Sequence, residues 1–268
     1  MTLDQPNAKS QAAPGAAHGV VTIRLAEISK YFAGVTALEH VSVEFYAGEV
    51  HAILGENGAG KSTLMNIICG TLQPSAGDVY FGAERIAAMS PQVASSLGIS
   101  IVFQHPAVLE DLSVLENFQV ALPATLFAGK SAKAVARKAL DAVGLHVHLR
   151  ARADTLTVAQ KYLLEIAKAL AIRRKVLILD EPTAALDQEA TDMLFGRIRD
   201  IVKTGTAVIC ITHRLAELRQ IAQRVTVLRD GRVRGVARVD DISDAELLNW
   251  IVGRALVSAF PPKSQTQS

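Results

Sequence analysis

Residues 55–62 read GENGAGKS and directly follow a short apolar stretch, EVHAIL, at residues 49–54. They match the phosphate-binding pattern G-x-x-x-x-G-K-[ST] at all four fixed positions. Glycines at this spacing let the backbone turn tightly, so that its N–H groups can approach phosphate oxygens. A plain glycine-rich turn is the competing interpretation, but an apolar strand before the loop and a helix after it favour phosphate binding. The sequence therefore predicts a strand–loop–helix unit that holds a nucleotide.

Individual residues of this loop have predicted roles. The helix that begins near Lys61 directs the positive end of its dipole at the phosphates. Lys61 would neutralise charge on the β- and γ-phosphates, and Ser62 would hold Mg²⁺. The predicted nucleotide contacts in the loop are Gly55, Glu56, Asn57, Gly58, Ala59, Gly60, Lys61, Ser62 and Thr63.

A second apolar stretch, VLILDEP, ends in two adjacent carboxylates. Asp180 is placed to reach the shell of the Mg²⁺ ion, and Glu181 to orient or deprotonate an attacking water. Alone, such a pair is usually a polar turn, but a phosphate loop in the same chain makes it the expected acidic partner. Of the two carboxylates, Mg²⁺ binding needs only Asp180. The second carboxylate, Glu181, therefore indicates that the nucleotide is hydrolysed and not merely bound. His213, after the strand TAVICIT, is a candidate sensor of the γ-phosphate.

Composition excludes several classes of protein. The chain has 268 residues, of which 50% are hydrophobic, and a formal net charge of +2, which argues against a dedicated nucleic-acid binder. Cys69 and Cys210 lie in apolar runs, as reduced, buried thiols of a cytosolic protein do. No apolar run approaches the roughly 18 residues that span a bilayer. We expect a disordered leader at residues 1–19 and a loose tail at 255–268.

The apolar patterns predict an α/β fold. KVLILDEP and TAVICITH are continuously apolar up to their polar ends, as strands of a parallel sheet covered on both faces are. VVTIRLAEIS and LEHVSVEFYAG alternate, which indicates antiparallel strands, and GDVYFGAERI is predicted as one further surface strand. Asp230-Gly231 predicts a hairpin turn. Together these patterns predict one domain over residues 20–254, with a parallel core sheet and an antiparallel β region.

A helical insertion is predicted from about residue 105 to residue 175. Its clearest helix is SAKAVARKALDAVG, where Ser131 can cap the start and Gly144 can close the end.

Several motifs together resemble the ATP-binding subunits of ABC transporters. GENGAGKSTL, VFQ, LTVAQ, LILDEPTAALD and ITH occur in that family's order and spacing, over about residues 20–254. The resemblance implies a P-loop NTPase of the ABC ATPase type, with ATP and Mg²⁺ as its ligands. It also implies that Gln104 is a catalytic residue and Mg²⁺ ligand that links the nucleotide to a membrane subunit. Phe32 sits where an aromatic residue stacks on adenine, with Tyr31 as the alternative. Ala185, Leu186 and Asp187 resemble the loop that meets a second ATPase unit.

LTVAQ occupies the position of the family signature, usually Leu-Ser-Gly-Gly-Gln, which closes over the ATP of a partner unit in a head-to-tail dimer. Thr157 keeps the hydroxyl, whereas Val158 and Ala159 replace both glycines. Thr157 with Gln160 also fits a capping box. Two outcomes stay open. Either the helix start binds a partner's γ-phosphate with some crowding from the Cβ atoms, or it is the start of an ordinary capped helix.

The closer resemblance is to the first of two ATPase units in ribose- and galactoside-type sugar importers. It rests on GENGAGKSTLM, on the glycine-poor signature followed by EIAKAL, and on WIVGRALVSAFPPK. The second unit does not occur in these residues, which leaves a homodimer, a separate second unit and a truncated relic open. The implied partners are a second ABC ATPase unit, transmembrane permease subunits and, indirectly, a periplasmic solute-binding protein. The implied location is peripheral, at the cytoplasmic face of the inner membrane.

Three other functions fit the sequence less well. A soluble ABC ATPase acting on nucleic acid or ribosomes would carry coiled-coil or basic insertions, and the sequence has neither. A binding-only regulatory unit is favoured by the altered signature and opposed by Glu181 and His213. A P-loop kinase has no use for LTVAQ, AALD and ITH in this order.

Overall fold

The computed structural model describes residues 19–127, 129, 131–172, 174–184 and 186–253. The strands are β1 (Val21–Phe32), β2 (Val35–Tyr46), β3 (Val50–Leu54), β4 (Ala76–Phe81), β5 (Glu84–Ile86), β6 (Ile99–Val102), β7 (Val176–Asp180), β8 (Ala207–Thr212), β9 (Arg224–Arg229) and β10 (Arg232–Arg238). The α-helices are α1 (Lys61–Ile68), α2 (Pro91–Leu97), α3 (Val114–Ala121), α4 (Ala132–Ala142), α5 (Val158–Ala171), α6 (Gln188–Lys203), α7 (Leu215–Ile221) and α8 (Asp244–Val252). Single turns of 3-10 helix occur at Ala124–Phe127, Ala153–Thr155 and Val239–Asp241.

The central sheet has the strand order β10-β9-β3-β8-β7-β6. Strands β9, β3, β8, β7 and β6 are parallel, and β10 pairs antiparallel with β9 at the edge. Side chains of β3 and β8 are buried along their whole length, because layers of the protein cover both faces of the sheet. The parallel core sheet predicted from the apolar runs is therefore confirmed.

The β9–β10 hairpin is also confirmed. Asp230 and Gly231 both have positive φ, at 52° and 71°. A two-residue hairpin loop of this type requires positive φ at both positions, and Asp-Gly meets that requirement.

A separate antiparallel sheet has the order β2-β1-β4-β5. The prediction of a single strand over residues 77–86 is wrong, because the chain turns at Gly82, with φ of 60°, and β5 pairs back onto β4. Strands β1 and β2 run farther than predicted, to Phe32 and from Val35, and pair along most of their length. The predicted antiparallel β region is confirmed, with one more strand than expected.

Helices α3, α4 and α5 lie between β6 and β7, within the range predicted for the insertion. Ser131 occupies the N-cap position of α4, but its side chain makes no capping hydrogen bond, so that detail of the prediction is wrong. Gly144 has φ of 66° just beyond the end of α4, as expected. Phe118, Leu140 and Leu164 of these helices belong to one buried cluster that continues beneath β7 and β8.

A second buried cluster fills the opposite face of the central sheet. It joins residues of the antiparallel sheet, such as Phe45, to Leu64 of α1 and to Ile178 and Ile209 of the central strands. Helix α1 and the loop before it are therefore held between two sheets.

Cys69 and Cys210 are free and buried, as predicted. Burial raises the pKa of both thiols to about 12. No helix in the described part of the chain combines the length and the apolar character needed to cross a membrane. The predicted leader at 1–19, apart from Gly19, and the predicted tail at 255–268 lie outside the described residues.

Candidate functional site

The register of the central sheet brings three loops to one edge. Leu54, the last residue of β3, lies opposite Thr212 of β8, and Asp180 of β7 lies opposite Ile211. Because these strands are parallel, the segments that follow them emerge side by side. The phosphate loop, Glu181 and His213 are therefore neighbours.

A cavity of about 350 Å³ opens at this edge. It gathers residues from the phosphate loop, the start of β2, the segment after β6 and the end of β7. Its lining residues are Val35, Thr36, Ala37, Asn57, Gly58, Gly60, Lys61, Ser62, Thr63, Gln104, Asp180 and Glu181. Most of the predicted nucleotide and metal contacts are thus placed together, although they lie up to 124 residues apart between Asn57 and Glu181.

Two glycines of the phosphate loop lie where the neighbouring backbone leaves no room for a side chain. Gly60 has φ of 101°, which L-residues rarely adopt, and a Cβ there would lie 2.7 Å from the carbonyl oxygen of Ala37. At Gly55 a Cβ would lie 2.3 Å from the carbonyl oxygen of Leu228. Gly60 is the N-cap of α1 and supplies no capping side chain. The first N–H groups of α1 have no partner within the helix, so they are available to an anion such as a phosphate.

Lys61 lies folded over this loop. Its Nζ donates hydrogen bonds to the carbonyl oxygens of Gly55, at 2.7 Å, and Glu56, at 2.9 Å. Burial lowers the pKa of Lys61, while the carboxylates of Glu181 and Asp180 act in the opposite direction. An anion in the cavity would stabilise the charged ammonium further. Gly55 and Glu56 do not line the cavity, and their carbonyl groups contribute to the site by holding the ammonium of Lys61.

Asp180 lies at the end of β7 and is partly buried. Burial, followed by the nearby Glu181 carboxylate, raises the pKa of Asp180, while Lys61 lowers it. A divalent cation would favour the ionised form, and hydroxyl, amide and carboxylate oxygens are ligands that Mg²⁺ accepts. Ser62, Gln104 and Asp180 all line the cavity, so the donor set fits that ion.

Both carboxylate oxygens of Glu181 have partners. His213 places Nδ1 3.1 Å from Oε1, and Gln104 donates from Nε2 to Oε2 at 3.4 Å. The backbone of Glu181 has φ of 44°, a strained value for a residue with a side chain, of the kind found at functional sites. The three residues predicted to be catalytic therefore form one connected group, in which His213 reaches the cavity through Glu181.

Two features of this edge were not predicted from the sequence. Val35, Thr36 and Ala37, at the start of β2, line the cavity and lack any sequence signal for that role. Glu217 is buried behind His213, where it accepts hydrogen bonds from Thr183 and Thr212. The sequence offers one signal for the buried Glu217. It is a glutamate between apolar positions of a short helix, four residues after His213.

Phe32 and Tyr31 end β1 and are exposed, at 45% and 51%. Neither is among the residues that line the cavity. The Nζ of Lys30 lies 5.2 Å from the centroid of the Phe32 ring. Stacking of either ring on adenine stays a prediction.

The start of α5 forms the predicted capping box. Thr157 Oγ1 accepts a hydrogen bond from the Gln160 backbone N–H at 3.2 Å, and Gln160 Oε1 accepts from the Thr157 N–H at 3.0 Å. Thr157, Val158 and Ala159 line a different cavity, of about 280 Å³, together with Asp187. None of the described residues that line this cavity also lines the phosphate cavity.

Asp187 is the N-cap of α6, where its Oδ1 accepts a hydrogen bond from the Ala190 N–H at 2.8 Å. Ala185, in the same predicted contact loop, lies outside the described residues. The residues predicted to meet a second unit thus form one surface, separate from the chain's own phosphate loop.

The model of a protein family described as "ABC transporter" matches residues 38–184, more than half of the chain. Among curated proteins, the chain is 40% identical over 247 residues to the "Putative ribose/galactose/methyl galactoside import ATP-binding protein 1" of Agrobacterium fabrum, covering 91% of this chain and 49% of that protein. It is 42% identical over 250 residues to the "Ribose import ATP-binding protein RbsA 3" of Rubrobacter xylanophilus, covering 89% and 49%. The chain therefore spans about half the length of these relatives.

Solved structures with a similar fold include the ADP conformation of MJ1267, an ATP-binding cassette of an ABC transporter. That comparison has a TM-score of 0.76 and 28% identity, and it covers 87% of this chain and 99% of that one. For cbiO1 from Clostridium perfringens, part of the ABC transporter complex cbiONQ, the TM-score is 0.73 with 30% identity, covering 82% and 90%. These similarities confirm the predicted fold class.

Proposed function

Because the chain belongs to the ABC transporter family, we propose that it binds MgATP and hydrolyses it to energise an importer. The observation that carries the proposal is the meeting of Lys61, Ser62, Asp180 and Glu181 in one cavity. The names of the relatives support a sugar or related small solute as the cargo. We assign this activity to one ATPase domain at residues 20–254.

The phosphate loop holds the nucleotide. The free N–H groups at the start of α1 and the ammonium of Lys61 bind the β- and γ-phosphate oxygens. Ser62, Asp180 and Gln104 hold Mg²⁺, which supplies positive charge against the phosphate oxygens when it is bound. Phe32, or Tyr31 in its place, stacks on the adenine.

Glu181 acts on the attacking water. One of its carboxylate oxygens takes a proton as the water oxygen attacks the γ-phosphorus and ADP leaves. His213 holds the Glu181 carboxylate from one side, and Gln104 holds it from the other. These contacts fix the direction of the carboxylate towards the cavity, and the ring of His213 lies near the place of the γ-phosphate.

A second ATPase unit completes the site. The surface formed by Thr157, Val158, Ala159 and Asp187, with Gln160 bonded to Thr157 in the capping box, shares no lining residue with the phosphate cavity, which supports a role opposite a partner's ATP. That partner is a second copy of this chain or a separate related unit. The dimer works on permease subunits at the cytoplasmic face of the inner membrane and, through them, on a periplasmic solute-binding protein.

The direct test is a comparison of the purified chain with its Glu181→Gln variant. We expect slow ATP hydrolysis by the wild type, which a cognate permease accelerates. The variant should bind ATP, lose turnover by about 100-fold or more, and accumulate as a closed dimer. Glu84→Gln, at an exposed position of the antiparallel sheet, is the matched control and should hydrolyse ATP as the wild type does. A wild type without hydrolysis, alone or with the permease, would contradict the proposal.

Membrane association gives a second test. The chain should fractionate with membranes when its permease is present and move to the soluble fraction when the permease is deleted. Membrane binding that survives the deletion would count against a transport role.

A binding-only regulatory unit is the alternative function. The glycine-free start of α5, with Val158 and Ala159 in the first turn, favours it. Comparison of the wild type with Glu181→Gln separates a hydrolysing subunit from a regulatory one. If the chain is a regulatory unit, both proteins should bind ATP with equal affinity and neither should hydrolyse it.

A further inference from the structure

Glu217 is a buried carboxylate that the proposed hydrolysis does not use. It lies in the first turn of α7, directly after the turn that carries His213, and its residue surface is only 8% exposed. Three donors surround it. Thr212 Oγ1 donates to Oε2 at 2.9 Å, Arg214 Nη1 donates to Oε1 at 3.1 Å, and Thr183 Oγ1 also donates to Oε1.

These donors come from two different loops at the edge of the sheet. Thr183 lies two residues after Glu181, in the segment that follows β7, and is 2% exposed. Thr212 ends β8 and is 3% exposed, and its hydroxyl oxygen also accepts the backbone N–H of Arg214 at 3.0 Å. Glu217 therefore ties the segment that carries Glu181 to the turn that carries His213.

The hydrogen bonds of Glu217 support the contact between His213 and Glu181. The Nδ1 of His213 lies 3.1 Å from the Oε1 of Glu181, and the side chain of His213 is 53% exposed. An exposed ring does not hold such a distance by packing, so the two backbone segments behind it must be fixed relative to each other. One backbone bond, from the Glu181 N–H to the Ile211 carbonyl, joins them at 3.0 Å, and the Glu217 network adds side-chain bonds beyond it.

We propose that Glu217 is a positioning residue for ATP hydrolysis, whose buried carboxylate holds His213 against Glu181. The inference rests on the proposed function, since it concerns the same reaction. None of the described contacts of Glu217 is with a residue that lines the cavity, so the effect passes through Thr183 and the Thr212–Arg214 turn.

The network favours a carboxylate over an amide. An ionised carboxylate accepts at both oxygens, so it satisfies all three donors at once. An amide of the same shape has one accepting oxygen and one NH₂ group, and that group would face a hydroxyl or a guanidinium donor. Glu217→Gln is therefore a nearly isosteric change that disturbs the tie without opening a cavity.

The test measures single-turnover and steady-state ATP hydrolysis in a double-mutant cycle. In the wild-type background, Glu217→Gln should lower kcat about 10-fold and leave the KM for ATP within about twofold. In a His213→Ala background it should lower the rate by less than about twofold, because the contact that it supports is already gone. A purely structural role would lower the rate by the same factor in both backgrounds.

Thr183→Val provides a second, gentler variant, should Glu217→Gln fail to fold. It removes one donor to the carboxylate at almost constant volume, and it should lower kcat severalfold only when His213 is present. Glu84→Gln controls for the loss of one carboxylate and should change neither constant.

Unchanged kcat in the variant tested, or equal losses with and without His213, would overturn the inference alone. A wild type without ATPase activity would instead overturn the proposed function. The two failures are therefore distinguishable in the same assay.

Discussion

Helices α1 and α5 both point an N-terminus at a place predicted to meet phosphate, but their first turns are built differently. Helix α1 begins after Gly60, which has no side chain to cap it and has φ of 101°. Helix α5 begins after Thr157, whose hydroxyl accepts the Gln160 N–H in a complete capping box. In α5 the first turn satisfies part of its own hydrogen bonding, whereas in α1 that capacity is left for a ligand.

The difference shows how stability and binding compete for the same groups. A capping side chain stabilises a helix by about 1 kcal/mol, and it does so by using an N–H that a phosphate would use. The phosphate loop gives up that stabilisation and uses at Gly60 a positive φ that glycine adopts readily and other residues rarely do. The start of α5 keeps the cap and leaves the N–H groups of Val158 and Ala159, beneath two Cβ atoms, for any partner.

The largest effect is expected at Gly60. In Gly60→Ala the new Cβ would lie 2.7 Å from the Ala37 carbonyl oxygen and from Leu38 Cδ2, at a φ that alanine avoids. Strain and overlap together should cost about 2–5 kcal/mol, and ATP binding should be lost. Urea unfolding and ATP titration measure both.

Gly82→Ala is the control for positive φ alone. Gly82 has φ of 60°, and a Cβ there meets no atom within 4 Å. It should cost about 1–2 kcal/mol and leave ATP binding unchanged. Equal ATP affinity in Gly60→Ala and Gly82→Ala would remove the distinction between the two helix starts.

The next largest effect is expected in the pH dependence of stability, through β3, the strand that precedes the phosphate loop. His51 of β3 is buried, and burial, with a smaller contribution from Arg224, lowers its pKa to about 3. Below the unfolded value of about 6.5, the unfolded chain takes up a proton that the folded chain refuses, so stability falls as pH falls. Between pH 8 and pH 5 this should cost about 2 kcal/mol.

His51→Gln keeps a polar group near Thr226 Oγ1, which lies 2.7 Å from Nε2 in the wild type, and it does not titrate. In urea unfolding at pH 8 and pH 5, the wild type should lose about 2 kcal/mol more of its free energy of unfolding than His51→Gln does. Parallel pH dependence of the two chains would mean that the folded protein protonates His51, contrary to a tightly buried β3.

The third effect is expected when the Cβ atoms in the first turn of α5 are removed, so that this helix start becomes as open as the start of α1. Replacing Val158 and Ala159 by glycine should cost up to about 1 kcal/mol each. If the Cβ atoms limit the approach of a partner's phosphate, the same double variant should raise ATPase turnover. Val158→Ala keeps both Cβ atoms and is the matched control. Turnover that responds equally to the control and to the double glycine variant would show that crowding at this helix start is not limiting.

The smallest effect is expected at the cap itself. Thr157→Ala removes the hydroxyl and should cost about 1 kcal/mol, while Thr157→Ser retains it and should cost less. If α5 meets a partner's phosphate, Thr157→Ala also weakens the ATP-driven dimer, measured by sedimentation of the Glu181→Gln chain. An intact dimer in Thr157→Ala, with unchanged turnover in the double glycine variant, would mean that α5 does not touch phosphate.

Features determined by local chemistry were predictable from the sequence. The phosphate loop requires glycines and a lysine at fixed spacing, the Asp230-Gly231 turn requires positive φ, and the capping box at Thr157 requires Gln160 three residues later. Continuous apolar runs predicted β7 and β8 because a doubly covered strand has no polar face. Each of these signals lies within about ten residues of chain.

Features that depend on distant partners, or that have only a weak local signal, were not predicted. Glu217 bonds to Thr183 across 34 residues, and no local pattern indicates that contact. Ser131 has the right residue type for a cap, yet its side chain makes no capping bond to α4. GDVYFGAERI was predicted as one strand because Gly82-Ala83 carries a weaker hairpin signal than Asp-Gly, although Phe81 pairs with Glu84 only three residues along the chain.

The central claim is that the start of α1 is built to hold the β- and γ-phosphates, and calorimetric titration of the purified chain tests it most directly. With Mg²⁺ present, ATP should bind and AMP should bind far more weakly or without measurable heat, since the proposed contacts of Lys61 and of the free N–H groups of α1 are with the β- and γ-phosphates, which AMP lacks. No heat with ATP, or equal affinity for ATP and AMP, would contradict the account.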